Sequence, residues 1–166
     1  MMAKHLFIIR HAKSDWSFDL SDFDRPLNAR GFKNAPKMAQ RLADYAIKPQ
    51  QLISSPAKRA ITTAQIFAEH LAIPVNEIKL EPRIYEALPN TLVQIISELD
   101  NGLDSVAFFG HNPGLTLLVN YLADEHIYNL TTCGIVHLRF DDVTEWAAIS
   151  GGMATNVWLS EPNKEY

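Results

Sequence analysis

The run Leu6-Phe7-Ile8-Ile9 contains no polar residue, and Arg10-His11 follows it directly. A half-buried strand alternates apolar and polar residues, whereas a strand covered on both faces reads as an unbroken apolar run. Residues 5–10 (HLFIIR) therefore predict a buried strand that stops abruptly at charge. Shorter strands are predicted at 51–54 (QLIS), 75–80 (VNEIKL) and 104–110 (DSVAFFG).

Helical periodicity fills the intervals. From Asn28, the residues Ala29, Phe32, Ala35, Ala39, Leu42, Ala43 and Ala46 share one face, with Pro36 inside the pattern. Ser55-Pro56 reads as a helix start, Ser as N-cap and Pro at the first helical position. Ala57, Ala60, Ile61, Ala64, Phe67, Ala68 and Leu71 form its apolar face. A third helix is predicted over 91–100 with Thr91 near its cap. A fourth opens at Asn112-Pro113-Gly114, with Asn112 as cap. Residues 135–140 (IVHLRF) and 146–149 (WAAI) read as a terminal hairpin or neighbouring strands. Strands alternating with helices imply an α/β fold: a three-layer α/β/α sandwich with a mostly parallel central sheet. The 166 residues suit a single domain over 1–166.

The net charge of -4 argues against nucleic acid or an anionic membrane as partner, since both reward a basic surface. No stretch approaches the length of a membrane span, and residues 1–10 are too short for a signal segment. The one cysteine, Cys133, cannot form an internal disulfide and reads as a small buried apolar residue. These features point to a cytoplasmic location. His5, His70, His126 and His137 lack metal-ligand spacing, so no metal site is expected.

In an open α/β sheet, ligands bind beyond the carboxyl ends of the strands. Three segments deliver polar residues to that edge: Arg10-His11, Ser54-Ser55-Pro56 leading to Arg59, and His111-Asn112. Guanidinium groups and helix N-termini bind phosphate oxygens. A neutral imidazole is a nucleophile suited to a phosphoryl group, and nearby arginines disfavour its protonation. His11 is thus the candidate nucleophile, and Arg10, Arg59 and His111 are the candidate phosphate ligands. Glu86, after the strand at 75–80, is the candidate proton donor. Arg25 could reach the phosphate or a substrate carboxylate, or form a loop salt bridge. Lys13 is a candidate rim charge for anionic substrates, and Trp16 and Phe18 flank the mouth or anchor the loop. No GxxxxGK[ST] or GxGxxG motif supports a nucleotide site.

Arg10-His11-Ala12, the stretch Ser54-Ser55-Pro56-Ala57-Lys58-Arg59-Ala60 with Thr62-Thr63-Ala64, and Gly110-His111 together resemble the ordered motifs of the histidine phosphatase (phosphoglycerate mutase-like) superfamily. RHAKSDW and Asp24-Arg25-Pro26-Leu27 look most like its SixA-type phosphohistidine phosphatases. The resemblance implies a phosphoglycerate mutase-like fold, a covalent phosphohistidine on His11, phosphate held by Arg10, Arg59 and His111, and no cofactor. It implies as partner a phosphorylated protein, such as a histidine-containing phosphotransfer domain, or a small phosphorylated metabolite. Ala12 replaces the usual Gly, Lys13 the Glu of mutases, and Ser17 their Asn. The long insertions of mutases are missing, which argues against mutase activity. The alternatives are a small-molecule phosphomonoesterase and a non-catalytic phosphate-binding module.

Overall fold

A computed structural model describes residues 2–165. Its seven strands are β1 (Ala3–Arg10), β2 (Gln51–Ser54), β3 (Lys79–Leu80), β4 (Ser105–Gly110), β5 (Ile135–Asp141), β6 (Thr155–Glu161) and β7 (Lys164–Glu165). They form one sheet in the order β3-β2-β4-β1-β5-β6-β7. The half from β3 to β1 is parallel, and β5, β6 and β7 each add antiparallel.

Side chains alternate across this sheet with period two. From β1 and β4, Leu6, Ile8, Val106 and Phe108 enter one core, which α3 (Pro89–Ser97) and α4 (Gly114–Leu122) cover. Phe7, Ile9, Ala107 and Phe109 enter the other, covered by α1 (Ala29–Asp44) and α2 (Lys58–His70). All eight residues are fully buried, which explains the unbroken apolar runs in the sequence. The expected three layers are present.

Local departures have local causes. Val75–Glu77 is a 3-10 turn and only Lys79–Leu80 pairs as strand, because Pro74 and the polar pair Asn76-Glu77 favour a turn. Residues 146–149 are not a strand. Trp146–Ala148 is a 3-10 turn whose indole is buried and donates to the Leu103 carbonyl at 2.9 Å. The strand beside β5 is instead β6. The second helix begins at Lys58, with Ala57 as its N-cap residue, so Ser55 and Pro56 lie ahead of it. The third begins at Pro89, before Thr91. Pro36 sits within α1, but Phe32 points outward, 53% exposed, and Met38 takes a place in the core.

Register brings the strand ends together. Arg10 pairs with Gly110 across β1–β4, and Ser54 with Phe109 across β2–β4. The residues that follow, His11, Ser55 and His111, therefore leave the sheet at one edge. Two close approaches hold the loops there. A Cβ on Gly31 would lie 2.2 Å from the Lys13 carbonyl oxygen, so only glycine lets α1 seat against the chain after His11. A Cβ on Gly114 would lie 2.4 Å from the Ala87 oxygen, which brings α4 against the segment carrying Tyr85 and Glu86.

Candidate active site

The strand ends open into a cavity of about 540 Å³. Arg10, His11, Lys13, Arg25, Arg59, Glu86 and His111 all line it. Thus all seven of these candidate residues reach the same cavity, from β1 and the residues just after it, the 14–27 loop, α2, the segment after β3 and the end of β4; Trp16 lines it too, and Phe18 does not.

His11 is 6% exposed, and both its main-chain N–H and its carbonyl are tied down. Its N–H donates to the Gly110 carbonyl at 3.0 Å, and its own carbonyl accepts from Cys133 N–H at 3.0 Å. The next residue, Ala12, donates its N–H to Thr63 Oγ1, and that hydroxyl donates to the Arg59 carbonyl. The imidazole Nδ1 lies 2.7 Å from the Ala12 carbonyl oxygen. A carbonyl can only accept, so Nδ1 carries the proton and Nε2 keeps its lone pair.

His111 is oriented by a hydroxyl instead of a carbonyl. Its Nε2 is 2.8 Å from Ser55 Oγ, which also accepts the Ala57 N–H at 3.2 Å. A hydroxyl can donate to Nε2 or accept from it, so this contact fits either tautomer, and His111 Nδ1 is buried with no partner. Ser55, expected as a helix cap, instead orients a histidine.

Burial, more than neighbouring charge, keeps both rings neutral. It pulls His11 down to about 3 and His111 to about 4. For His11, repulsion from His111, Arg59 and Arg10 adds to the burial effect and the Ala12 hydrogen bond opposes it. The arginines expected to hold His11 neutral are thus a secondary cause.

The arginines are each tied down by terminal nitrogens. Arg10 Nη1 donates to the Leu130 carbonyl at 3.0 Å. Arg59 Nη1 and Nη2 donate to the main-chain oxygen and Oδ2 of Asp22, at 2.6 and 3.0 Å. Arg25 donates through Nη1 to Ser14 Oγ and through Nη2 to Asp22 Oδ1 at 3.0 Å, with Trp16 stacked 3.5 Å from its guanidinium carbon. In all three, Nε is buried and unpartnered. Of the alternatives for Arg25, the loop salt bridge is formed, and the side chain also lines the cavity.

Lys13 and Glu86 stand at the exposed rim. Neither side chain forms a hydrogen bond or ion pair among the described residues. Glu86 has a left-handed backbone, φ 57°, which turns the chain sharply after Tyr85. Trp16 is exposed against Arg25 at the mouth, and Phe18 is exposed in the same loop. The N-cap position of α4 falls on Pro113, not on Asn112 as expected, because the helix starts at Gly114; Asn112 Oδ1, one residue further out, still accepts the Thr116 N–H. Cys133 is buried, and that burial pushes its thiol up to about 12.

Sequence reasoning missed Asp22, Tyr85 and Thr132, which also line the cavity. Tyr85 donates its hydroxyl to Asp22 Oδ2 at 2.6 Å. The only sequence signal for Asp22 was its position three residues before Arg25 in a turn-rich segment. Among the described residues, no group of three or more His, Cys, Asp or Glu is placed to hold a metal ion, and no helix is long and apolar enough to cross a membrane.

The model of the histidine phosphatase superfamily (branch 1) matches residues 6–88, half of the chain. The chain belongs to this superfamily. Histidine phosphatase membership supports a phosphatase, a hydrolase acting on phosphorylated substrates. An uncharacterised protein of Mycobacterium tuberculosis is 29% identical over 164 residues, spanning 93% of this chain and 99% of its own. The uncharacterised phosphatase PhoE of Bacillus subtilis is 32% identical over 74 residues, 43% of this chain and 37% of its own. Among solved structures, the protein histidine phosphatase SixA complexed with tungstate has the same fold, with a TM-score of 0.81 at 24% identity over 96% of this chain and 97% of that one. A mycobacterial glucosyl-3-phosphoglycerate phosphatase shares it at a TM-score of 0.63 and 17% identity, over 92% and 99%. The histidine phosphatase fold therefore serves phosphatases whose names denote protein and small-molecule substrates alike.

Proposed function

We propose that this protein is a phosphohistidine phosphatase that works through a covalent phosphoryl group on His11. One observation carries the reading. Arg10 Nε, Arg25 Nε, Arg59 Nε and His111 Nδ1 are buried without partners, and all four residues line the cavity into which His11 brings an unprotonated Nε2. Buried polar groups are nearly always paired, and three Nε–H donors around one cavity, with His111 Nδ1 as a fourth in the tautomer whose Nε2 accepts from Ser55, are what a bound oxyanion would satisfy.

The chemistry follows from the positions. His11 Nε2 forms a bond to phosphorus while the bond from phosphorus to the leaving group breaks. Arg10, Arg59 and His111 hold the non-bridging oxygens as charge develops on them, and Arg25 adds a fourth donor. Glu86 or solvent gives a proton to the leaving atom. Water then attacks the phosphorus, the N–P bond breaks with its electrons returning to Nε2, and the water proton passes to Glu86 or solvent. Inorganic phosphate leaves. No step draws on a metal or cofactor.

The fold likeness to SixA supports protein phosphohistidine as substrate, and so does the rim. Trp16, Phe18 and Leu20 are exposed on the loop beside the cavity, where a protein surface can meet them. A phosphoramidate leaving group is readily protonated and needs little help from Glu86. The test compares kcat/KM on a phosphorylated histidine-containing transfer domain with kcat/KM on an aryl phosphate and on small sugar phosphates. A clear preference for the phosphorylated domain is expected. Preference for a small phosphate ester would make the protein a phosphomonoesterase using the same site.

A further inference from the structure

Asp22 is a carboxylate inside a cavity otherwise suited to anions. It sits in the short 3-10 turn Asp22–Asp24 and draws together three residues distant in sequence. Its Oδ1 accepts from Arg25, its Oδ2 accepts from Arg59 and from the Tyr85 hydroxyl, and its main-chain oxygen accepts from Arg59 again. A surface ion pair would ordinarily contribute little. Here, however, the two guanidinium side chains are only 6% and 9% exposed, and Asp22, at 48%, is the carboxylate that neutralises both.

We infer that Asp22 is a positioning residue that competes with bound phosphate for Arg59 and Arg25. It withholds their terminal nitrogens, leaves their Nε edges for the substrate, and weakens the hold on inorganic phosphate so that product departs. This rests on the phosphate-binding reading of the cavity. A phosphoryl dianion and the Asp22 carboxylate share the same two cations, so each lowers the other's affinity for them. Without Asp22, both guanidinium groups could turn their terminal edges to phosphate, and one repelling charge would be gone. Ground-state binding would tighten while turnover slowed at product release. The Asp22 carboxyl is itself held well below the usual carboxylate range, chiefly by the Tyr85 hydroxyl, so it stays charged throughout the working pH range.

Calorimetric titration with inorganic phosphate distinguishes the outcomes. Asp22→Asn keeps the shape of the side chain and removes its charge, and a thermal melt of each variant establishes that it is folded. We expect Asp22→Asn to bind phosphate about tenfold more tightly than wild type, the scale of one charge-assisted contact, with kcat reduced. Asp22→Ser, which also lacks the charge, should move in the same direction. Unchanged affinity in folded variants would reduce Asp22 to a surface ion pair, and weaker affinity would make it a purely structural brace; either result overturns the inference and leaves the phosphatase reading intact. Wild-type protein that binds no phosphate would overturn both.

Discussion

The imidazole of His111 stands with its ring centre 5.2 Å from that of His11, the two rings tilted by 51°. His11 presents a lone pair at Nε2, and burial keeps both rings neutral. Two residues of the same type differ here in what orients each ring, a carbonyl for His11 and the Ser55 hydroxyl for His111.

The first consequence is spectroscopic. With folded values of about 3 for His11 and about 4 for His111, neither ring should take up a proton as pH falls from 8 to 5. Ring-proton NMR shifts assigned by His11→Asn and His111→Asn should stay flat over that range. A midpoint near 6.5, the ordinary value for histidine, would contradict the burial argument.

The same burial makes stability fall in acid. His137 is fully buried, hydrogen-bonded to His5 and to the Tyr45 hydroxyl at 2.8 Å each, and burial lowers it to about 4. His11, His111 and His137 therefore bind fewer protons folded than unfolded between about 4 and 6.5. The stability associated with their neutral forms is present above pH 6.5 and is lost as pH falls toward 4. Urea midpoints at pH 7.5, 6 and 5 should decline in that order, and a midpoint at pH 5 equal to that at pH 7.5 would refute it.

Arg59 should not tolerate lysine. Its terminal nitrogens bind Asp22 while Nε is left unpartnered, a division that an ammonium group cannot reproduce. Arg59→Ala should lower kcat/KM by roughly 10²–10³, as loss of one preorganised donor does elsewhere. Arg59→Lys should recover only a small part. Near wild-type kinetics in the lysine variant would show that charge alone suffices.

Glu86 should matter in proportion to the leaving group. If it gives the proton, Glu86→Gln should slow an alkyl phosphate by about 10²-fold or more, the lower range for general acid catalysis. Phosphohistidine, protonated without help, should be cleaved at nearly the wild-type rate. Equal slowing of both substrates would give Glu86 a binding role instead.

The parts of this molecule visible in the sequence were those governed by one local rule. An unbroken apolar run ending in Arg10-His11 describes a strand buried on both faces and the edge where it stops. Asn28, Ala35, Ala39 and Leu42 carry the cap and period of α1. Asp22 and Tyr85 were not visible because their contacts cross the fold: Arg59 lies 37 residues beyond Asp22 and Tyr85 lies 63 beyond it, and both meet it only after folding. The segment 146–149 misled because a short apolar run has no period of its own. Trp146 is buried through a tertiary pocket and two hydrogen bonds, to Asn101 and Leu103, rather than through strand pairing. Meanwhile Thr155–Glu161 lacks a clean alternation, and its pairing with β5 shifts register at His137/Leu138.

The most direct test of the account is to trap the phosphoenzyme. Wild-type protein should be mixed with a labelled phosphoryl donor, quenched in alkali within the first turnover and mapped by mass spectrometry. Acid-labile, alkali-stable phosphate on His11, absent from His11→Asn, is the predicted result. Turnover by His11→Asn at the wild-type rate, or label on any other residue, would contradict it.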